Sequence, residues 1–174
     1  MNHLFISILL SAFGHIYATD SGSQDIVIPV NDTFNSVKIY SDIIVYIMQG
    51  EKNEILVKDI GVANAIKFKV DGSVLVVHGR KSYFTNKRPG RIIIKVRDLQ
   101  AITIMDDAEV RTIGELSDKN LNLEIFGDGA IYANTCASEV TTFIRGLGKI
   151  EVTGNFKNTS VNKDAYGNMI TTYK

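Results

Sequence analysis

The chain has 174 residues, and 19 Lys plus Arg balance 19 Asp plus Glu, so the formal net charge is zero. That length supports one domain with a real core and is short for two, while the neutral balance removes the electrostatic case for a nucleic-acid or anionic-membrane partner. Apolar residues make up 45% of the chain, Trp is absent and Pro occurs twice; this is too apolar for disorder, and the dominance of Ile and Val favours strands.

Residues 1–18 stand apart. Leu4 to Phe13 is an apolar run of about signal-peptide length, too short to span a bilayer alone, and Ala18 offers a small residue before the polar stretch Asp20 to Gln24. Met1 to His3 carry no Lys or Arg, and a buried first strand or an uncleaved anchor is the competing reading. The expectation is a secretory signal cleaved after Ala18, giving an exported protein in the periplasm, at the cell surface or outside. No later segment is apolar enough to cross a membrane as a helix. Residues 19–33 read as a linker with an edge strand, because Asp25 to Ile28 alternates and Pro29 confines it to an edge or a strand end. The single Cys136 has no intramolecular partner and is expected as a small buried apolar residue, not a nucleophile.

From Phe34 the chain alternates apolar and polar residues. Strands are predicted over Phe34 to Tyr40, Ile43 to Ile47, Glu54 to Lys58, Ile66 to Val70, Ser73 to His78, Arg91 to Val96 and Leu99 to Ile104. Asp71-Gly72 between two of them is a hairpin signal. The loop Gly79 to Gly90 carries four basic side chains and reads as a solvated turn. No segment keeps helical spacing without equally good alternation, so no helix is predicted.

The next fifty residues repeat. Ile104-Met-Asp-Asp-Ala-Glu-Val110, Ile125-Phe-Gly-Asp-Gly-Ala-Ile131 and Ile144-Arg-Gly-Leu-Gly-Lys-Ile150 are copies at offsets of 21 and 19 residues. A weaker copy, Lys163 to Met169, follows after 19 more, and Ile39 to Val45 is an earlier echo. A fixed period near twenty residues points to stacked rungs. Even positions form apolar columns, Ile102 with Leu123 and Thr142, and Val110 with Ile131 and Ile150. Stacking at about 4.8 Å would bury such columns continuously. The third and fifth positions hold glycine in the second and third blocks, as corners with tight approach require. The predicted architecture is all-β: a single-domain right-handed parallel β-helix, a solenoid with rungs of about 19–21 residues, over 34–174. An antiparallel sandwich is the competing fold.

These features resemble the head GIN domain family of auto-transporter adhesins: an alternating first half, a short basic loop, Arg91 to Val96 feeding Leu99 to Ile104, and repeated Ile-x-Gly-x-Gly-x-Ile blocks. The resemblance covers roughly Phe34 to Lys174 and implies an exported, envelope-associated β-helical protein with an adhesive role. It supplies no active-site residues. Asp106 and Ala108 depart from the glycine pattern in the first block.

Candidate chemistry must sit on outward residues. Asp107 stands in the column of Asp128, with Asp106 beside it; as a patch, Asp106, Asp107 and Asp128 could hold Ca²⁺ or serve a carbohydrate-active lyase or hydrolase. Asp before Gly is also an ordinary turn residue, the preferred reading here. Two other columns, Met105 with Phe126 and Arg145, and Arg111 with Tyr132 and Glu151, offer aromatic and basic groups suited to sugar rings or a protein partner. There is no Ser-His-Asp arrangement, zinc spacing or phosphate loop, and no cofactor is expected. The sequence therefore predicts a non-catalytic, adhesin-like module whose partner is a glycan or an envelope or surface protein, with a carbohydrate-active enzyme as the alternative. It leaves the ligand and the oligomeric state open.

Overall fold

The computed structural model describes residues 17–18, 26–58, 60–79, 90–163 and 168–173. The leader expected over 1–18 and the basic loop of 79–90 lie almost wholly outside these residues, as does the middle of the fourth repeat. In chain order come β1 (Tyr17–Ala18), β2 (Ile26–Pro29), β3 (Ser36–Tyr40), β4 (Ile44–Gln49) and β5 (Glu54–Val57). Helix α1 (Ile60–Ala65), β6 (Ile66–Asp71), β7 (Val74–Gly79) and β8 (Arg91–Val96) follow. Next are β9 (Ala101–Ile104), β10 (Glu109–Ile113), β11 (Asn120–Phe126) and β12 (Ala130–Thr135). The last four are β13 (Glu139–Arg145), β14 (Lys149–Gly154), β15 (Asn158–Lys163) and β16 (Asn168–Tyr173).

Two sheets result. One has nine strands in the order β1-β2-β5-β8-β4-β10-β12-β14-β16, the other seven in the order β15-β13-β11-β9-β3-β7-β6. From β9 onward, successive strands alternate between the sheets, and each pairs in parallel with the strand two places on. Ile125 sits between Ile104 and Ile144, and Ile131 between Val110 and Ile150, the columns the repeat predicts. The inward residues of both sheets are buried, among them Val37, Ile39, Val45, Ile102, Leu123 and Ile150. Each such side chain contributes on the order of 1.5–3 kcal/mol of burial, largely offset by the cost of ordering the chain.

The all-β expectation holds, but a single right-handed parallel β-helix over 34–174 does not describe the molecule, because both sheets are mixed. β1 with β2, β2 with β5, β5 with β8, and β6 with β7 are antiparallel. Spatial order also departs from chain order. The β3–β4 unit lies in the middle, Ile39 pairing with both Val77 and Ile104, and Val45 with both Ile92 and Val110. The short connection after β6 turns the chain straight back into antiparallel β7, whereas β5, which follows β4, skips over β8 and pairs antiparallel with β8 and β2. The hairpin loop is Gly72-Ser73, one residue beyond the predicted Asp71-Gly72, since Asp71 still pairs with Val74. Gly72 takes φ +61° there. Pro29 ends β2, as expected.

Helix α1 corrects the expectation that no helix forms. It buries Val62, Ala63 and Ala65 and exposes Ile60, and six residues are too few for periodicity to register. Strand β6 closes its sheet edge with exposed Lys67, Lys69 and Asp71, the charged edge that discourages further pairing.

The repeat corners carry the glycines for a physical reason. Gly146 has φ +134°, and a Cβ there would collide with the Gly127 carbonyl. At Gly148, with no such φ, a Cβ would lie 2.6 Å from Ile125 Cγ2. The first block escapes this crowding, and Ala108 fits fully buried.

Candidate functional site

The outward residues fall on two faces that point away from each other. Met105, Phe126 and Arg145 belong to the seven-stranded sheet, where Phe126 pairs with Arg145 and Met105 follows the Ile104–Ile125 pair. Arg111 and Tyr132 are paired neighbours on the nine-stranded sheet. The two columns expected as a binding face therefore cannot contact one flat ligand together. Each of these residues lies one place from a buried residue of its own strand and so turns outward from its own sheet, because side chains alternate across a strand.

On the seven-stranded sheet the stripe is aromatic and longer than expected. The Phe126 and Phe143 rings lie 5.3 Å apart, tilted by 45°. The Arg145 guanidinium stands 6.0 Å from the first ring and 5.7 Å from the second, within cation–π range. The same column continues through Met105 to Tyr40, which stacks on His78 at 4.7 Å and 14°. Lys38 Nζ lies 5.4 Å from the Tyr40 ring. Tyr40, Met105, Phe126 and Phe143 are half-buried, while Arg145 and His78 are exposed. Tyr40, His78 and Phe143 also belong to this stripe, and the sequence reading does not place them there. The echo of the repeat at Ile39 to Val45 was the signal that could have added Tyr40, one place after the column residue Ile39.

The nine-stranded face is arranged differently. The Tyr132 ring is flanked by Arg111 at 4.2 Å and Lys149 at 5.1 Å. Arg111 donates from Nε to Glu109, and Lys149 pairs with Glu151 at 2.8 Å. These carboxylate hydrogen bonds hold both cations above their ordinary pKa values, so they stay charged at any working pH. Each cation here is neutralised by a carboxylate two places away on the same face of its own strand.

The acidic patch is also redrawn. Asp42, Asp106 and Asp107 each offer a carboxylate oxygen within 4.8 Å of the others, the one such group among the described residues. Asp128 is not part of it; its Oδ1 accepts a hydrogen bond from the Leu147 amide at 3.1 Å, a turn-stabilising bond to the next rung. Asp42 replaces it because the β3–β4 unit stacks on β9–β10, an arrangement invisible to a reading in chain order. Asp42 Oδ1 is buried without a hydrogen-bond partner.

Cys136 is exposed, which corrects the expectation of a buried residue. It follows β12, where the alternation turns it outward, while Thr135 and Ala137 on either side are buried. Desolvation, then the Glu115 carboxylate, hold its thiol above the ordinary value. A thiol so disposed is a poor nucleophile.

The fold, then, is a two-sheet all-β scaffold whose outward faces carry stacked aromatic and charged side chains. The chain belongs to the family described as "Putative auto-transporter adhesin, head GIN domain", which it matches over residues 33–170. No curated protein matches it. Among solved structures it is similar to a putative cell adhesion protein from Clostridium sporogenes, at 12% identity and TM-score 0.45, over 88% of this chain and 100% of that one. It is also similar to a putative adhesin from Bacteroides fragilis, at 16% identity and TM-score 0.40, over 83% of this chain and 94% of the other. No helix among the described residues is long and apolar enough to cross a membrane.

Proposed function

We propose that this protein is an exported, non-catalytic, adhesin-like module of the cell envelope that binds a glycan or a surface protein through the outer face of its seven-stranded sheet. Its leader is residues 1–18, and residues 34–174 form the adhesive domain. The observation that carries this reading is the aromatic stripe of Tyr40, Met105, Phe126 and Phe143, with Arg145 beside the last two rings. Rings standing half-exposed on a regular sheet offer apolar faces with a cation beside them, which suits stacking against sugar rings or burial under a partner's aromatic residues. Family membership supports the adhesive character. The opposite column of Arg111 and Tyr132 contributes less, since its ring is already flanked by two ion-paired cations.

The test is binding to a glycan array and to envelope extracts by the full chain and by Phe126→Ala and Phe143→Ala. Loss of binding in both variants, with an unchanged melting temperature, supports the module. Turnover of a polysaccharide that disappears in Asp107→Asn or Asp128→Asn without loss of folding would overturn it in favour of the carbohydrate-active enzyme.

A further inference from the structure

The connections that lead from the nine-stranded sheet back to the seven-stranded one lie at the rung ends opposite the glycine corners. They enclose a groove of about 1210 Å³, walled on one side by residues 29–35 and on the other by the segments around Arg97, Asp118 and Asn120. Its walls are fastened by two side-chain amides. Gln49 Oε1 accepts from both the amide and the hydroxyl of Ser117 at 2.9 Å, and its Nε2 donates to the Arg97 carbonyl at 3.2 Å and to Asp118 at 3.4 Å. Asn53 donates to the Phe34 carbonyl at 3.3 Å and accepts from the Arg97 amide at 3.1 Å. The Gln100 amide donates to the Asn35 carbonyl at 2.6 Å. Four separate connections are thus tied together, so the groove is preformed and a ligand would not have to order it.

The lining discriminates among ligand classes. Phe34 and Leu121 are 4% and 1% exposed, and Pro29 and Val30 are half-buried in a lining otherwise made of polar and charged side chains, so polar groups make up the larger share of what a ligand would meet. Lys52, Arg97 and Lys119 face six carboxylates, a balance that repels phosphate, sulfate or nucleic acid. Exposed amide and carboxylate side chains remain, among them Asn31, Gln100, Asn120 and Glu139. An amide both donates and accepts, and a carboxylate accepts at two oxygens, a pairing that matches adjacent hydroxyl groups. The volume exceeds that of most single small-molecule sites, which run to about 1,000 Å³.

We infer that this groove is a second binding site, for a neutral oligosaccharide whose hydroxyls exchange hydrogen bonds with the Asn31, Gln100 and Asn120 amides and donate to the Glu139 carboxylate. It extends the adhesive reading by naming a ligand class, but it is separate from the aromatic stripe. Asn120 and Phe126 are opposite ends of β11, about 20 Å apart at strand rise.

The full chain, labelled with ¹⁵N, is titrated with neutral gluco-, manno- and galacto-hexaoses while its amide shifts are followed. At least one hexaose is expected to shift residues 97–100 and 118–122 saturably. The double variant Gln100→Ala with Asn120→Ala should weaken that binding tenfold or more, and Phe126→Ala should change it less than twofold. Both groove positions are exposed, and the shift map of the unaltered chain does not depend on any variant folding. The inference is overturned if no hexaose shifts the groove, or if only a sulfated hexaose or a lysine tripeptide does. It is also overturned if the shifts centre on Phe126, Phe143 and Arg145 and vanish in Phe126→Ala, an outcome that leaves the stripe as the adhesive surface.

Discussion

Beyond Ala101 each strand finds its partner about twenty residues later, always in parallel and always through the opposite sheet. Before Val96, strands pair with neighbours close in sequence and far from it, in both senses, around the central β3–β4 unit. Yet inward residues in both halves are equally buried, Leu75 and Ile94 no less than Ile125 and Ile150. The core is therefore continuous, and what differs is how local the instructions are. In the second half, similar blocks stack on one another, and the second and third share the same glycine corner. In the first half each connection is individual, and the sheets are completed by contacts of long sequence separation.

That contrast can be tested by substitution. Ile125→Ala should cost about 2–5 kcal/mol in urea unfolding, the range for truncating a fully buried isoleucine. Leu75→Ala, in the first half, should cost about as much; a cost below about 1 kcal/mol there would mean that the halves unfold separately.

Gly146→Ala should cost about 3 kcal/mol, since a Cβ meets both a disfavoured φ and the Gly127 carbonyl. Gly72→Ala, in the hairpin of the first half, should cost only about 1–2 kcal/mol, because its φ is +61° but the space around it is open. Equal costs would remove the claim that stacked corners are the tighter geometry.

Thr135→Val is expected to cost as much as Gly72→Ala, about 1–2 kcal/mol. The Thr135 hydroxyl donates to the Leu116 carbonyl at 2.9 Å and accepts from the Ala137 amide at 3.0 Å; its removal takes that acceptor from the Ala137 amide, while the Leu116 carbonyl keeps the Cys136 amide.

A pH effect belongs to Asp118. Burial raises its carboxyl pKa, against the pull of the Leu99 amide. The folded state then takes up this proton more readily than the unfolded one. Asp118 therefore subtracts from stability above its folded pKa, and that penalty is relieved as pH falls through the folded value toward the ordinary one. Thermal midpoints measured from pH 7 down to pH 4 should show this slope in the native chain and a flatter curve in Asp118→Asn. After screening, the difference should be about 0.5 kcal/mol or less.

Legibility followed the repeat. The columns Ile104–Ile125–Ile144 and Val110–Ile131–Ile150 could be written down from spacing alone, because alternation and a fixed offset together define register. The echo at Ile39 to Val45 was visible as well. Its position between β8 and β10 was not, since nothing local distinguishes a unit at the end of a stack from one in its middle. The same blindness hid Asp42 beside Asp106 and Asp107. It also hid the groove, one wall of which is the stretch 29–35 that composition marks only as a linker.

By itself, then, the sequence determined that the chain is all-β, which residues form the apolar columns of the repeat, where the second half bends and which family it belongs to. Each of these is set by alternation, β-branching, glycine and period, properties that act within a few residues or repeat at constant intervals. Only the tertiary structure decided the spatial order of the first-half strands, the antiparallel pairs that make the sheets mixed, and the assignment of the two outward columns to opposite faces. Those outcomes depend on which sheet edge a returning strand meets, a choice made by contacts between segments far apart in the chain.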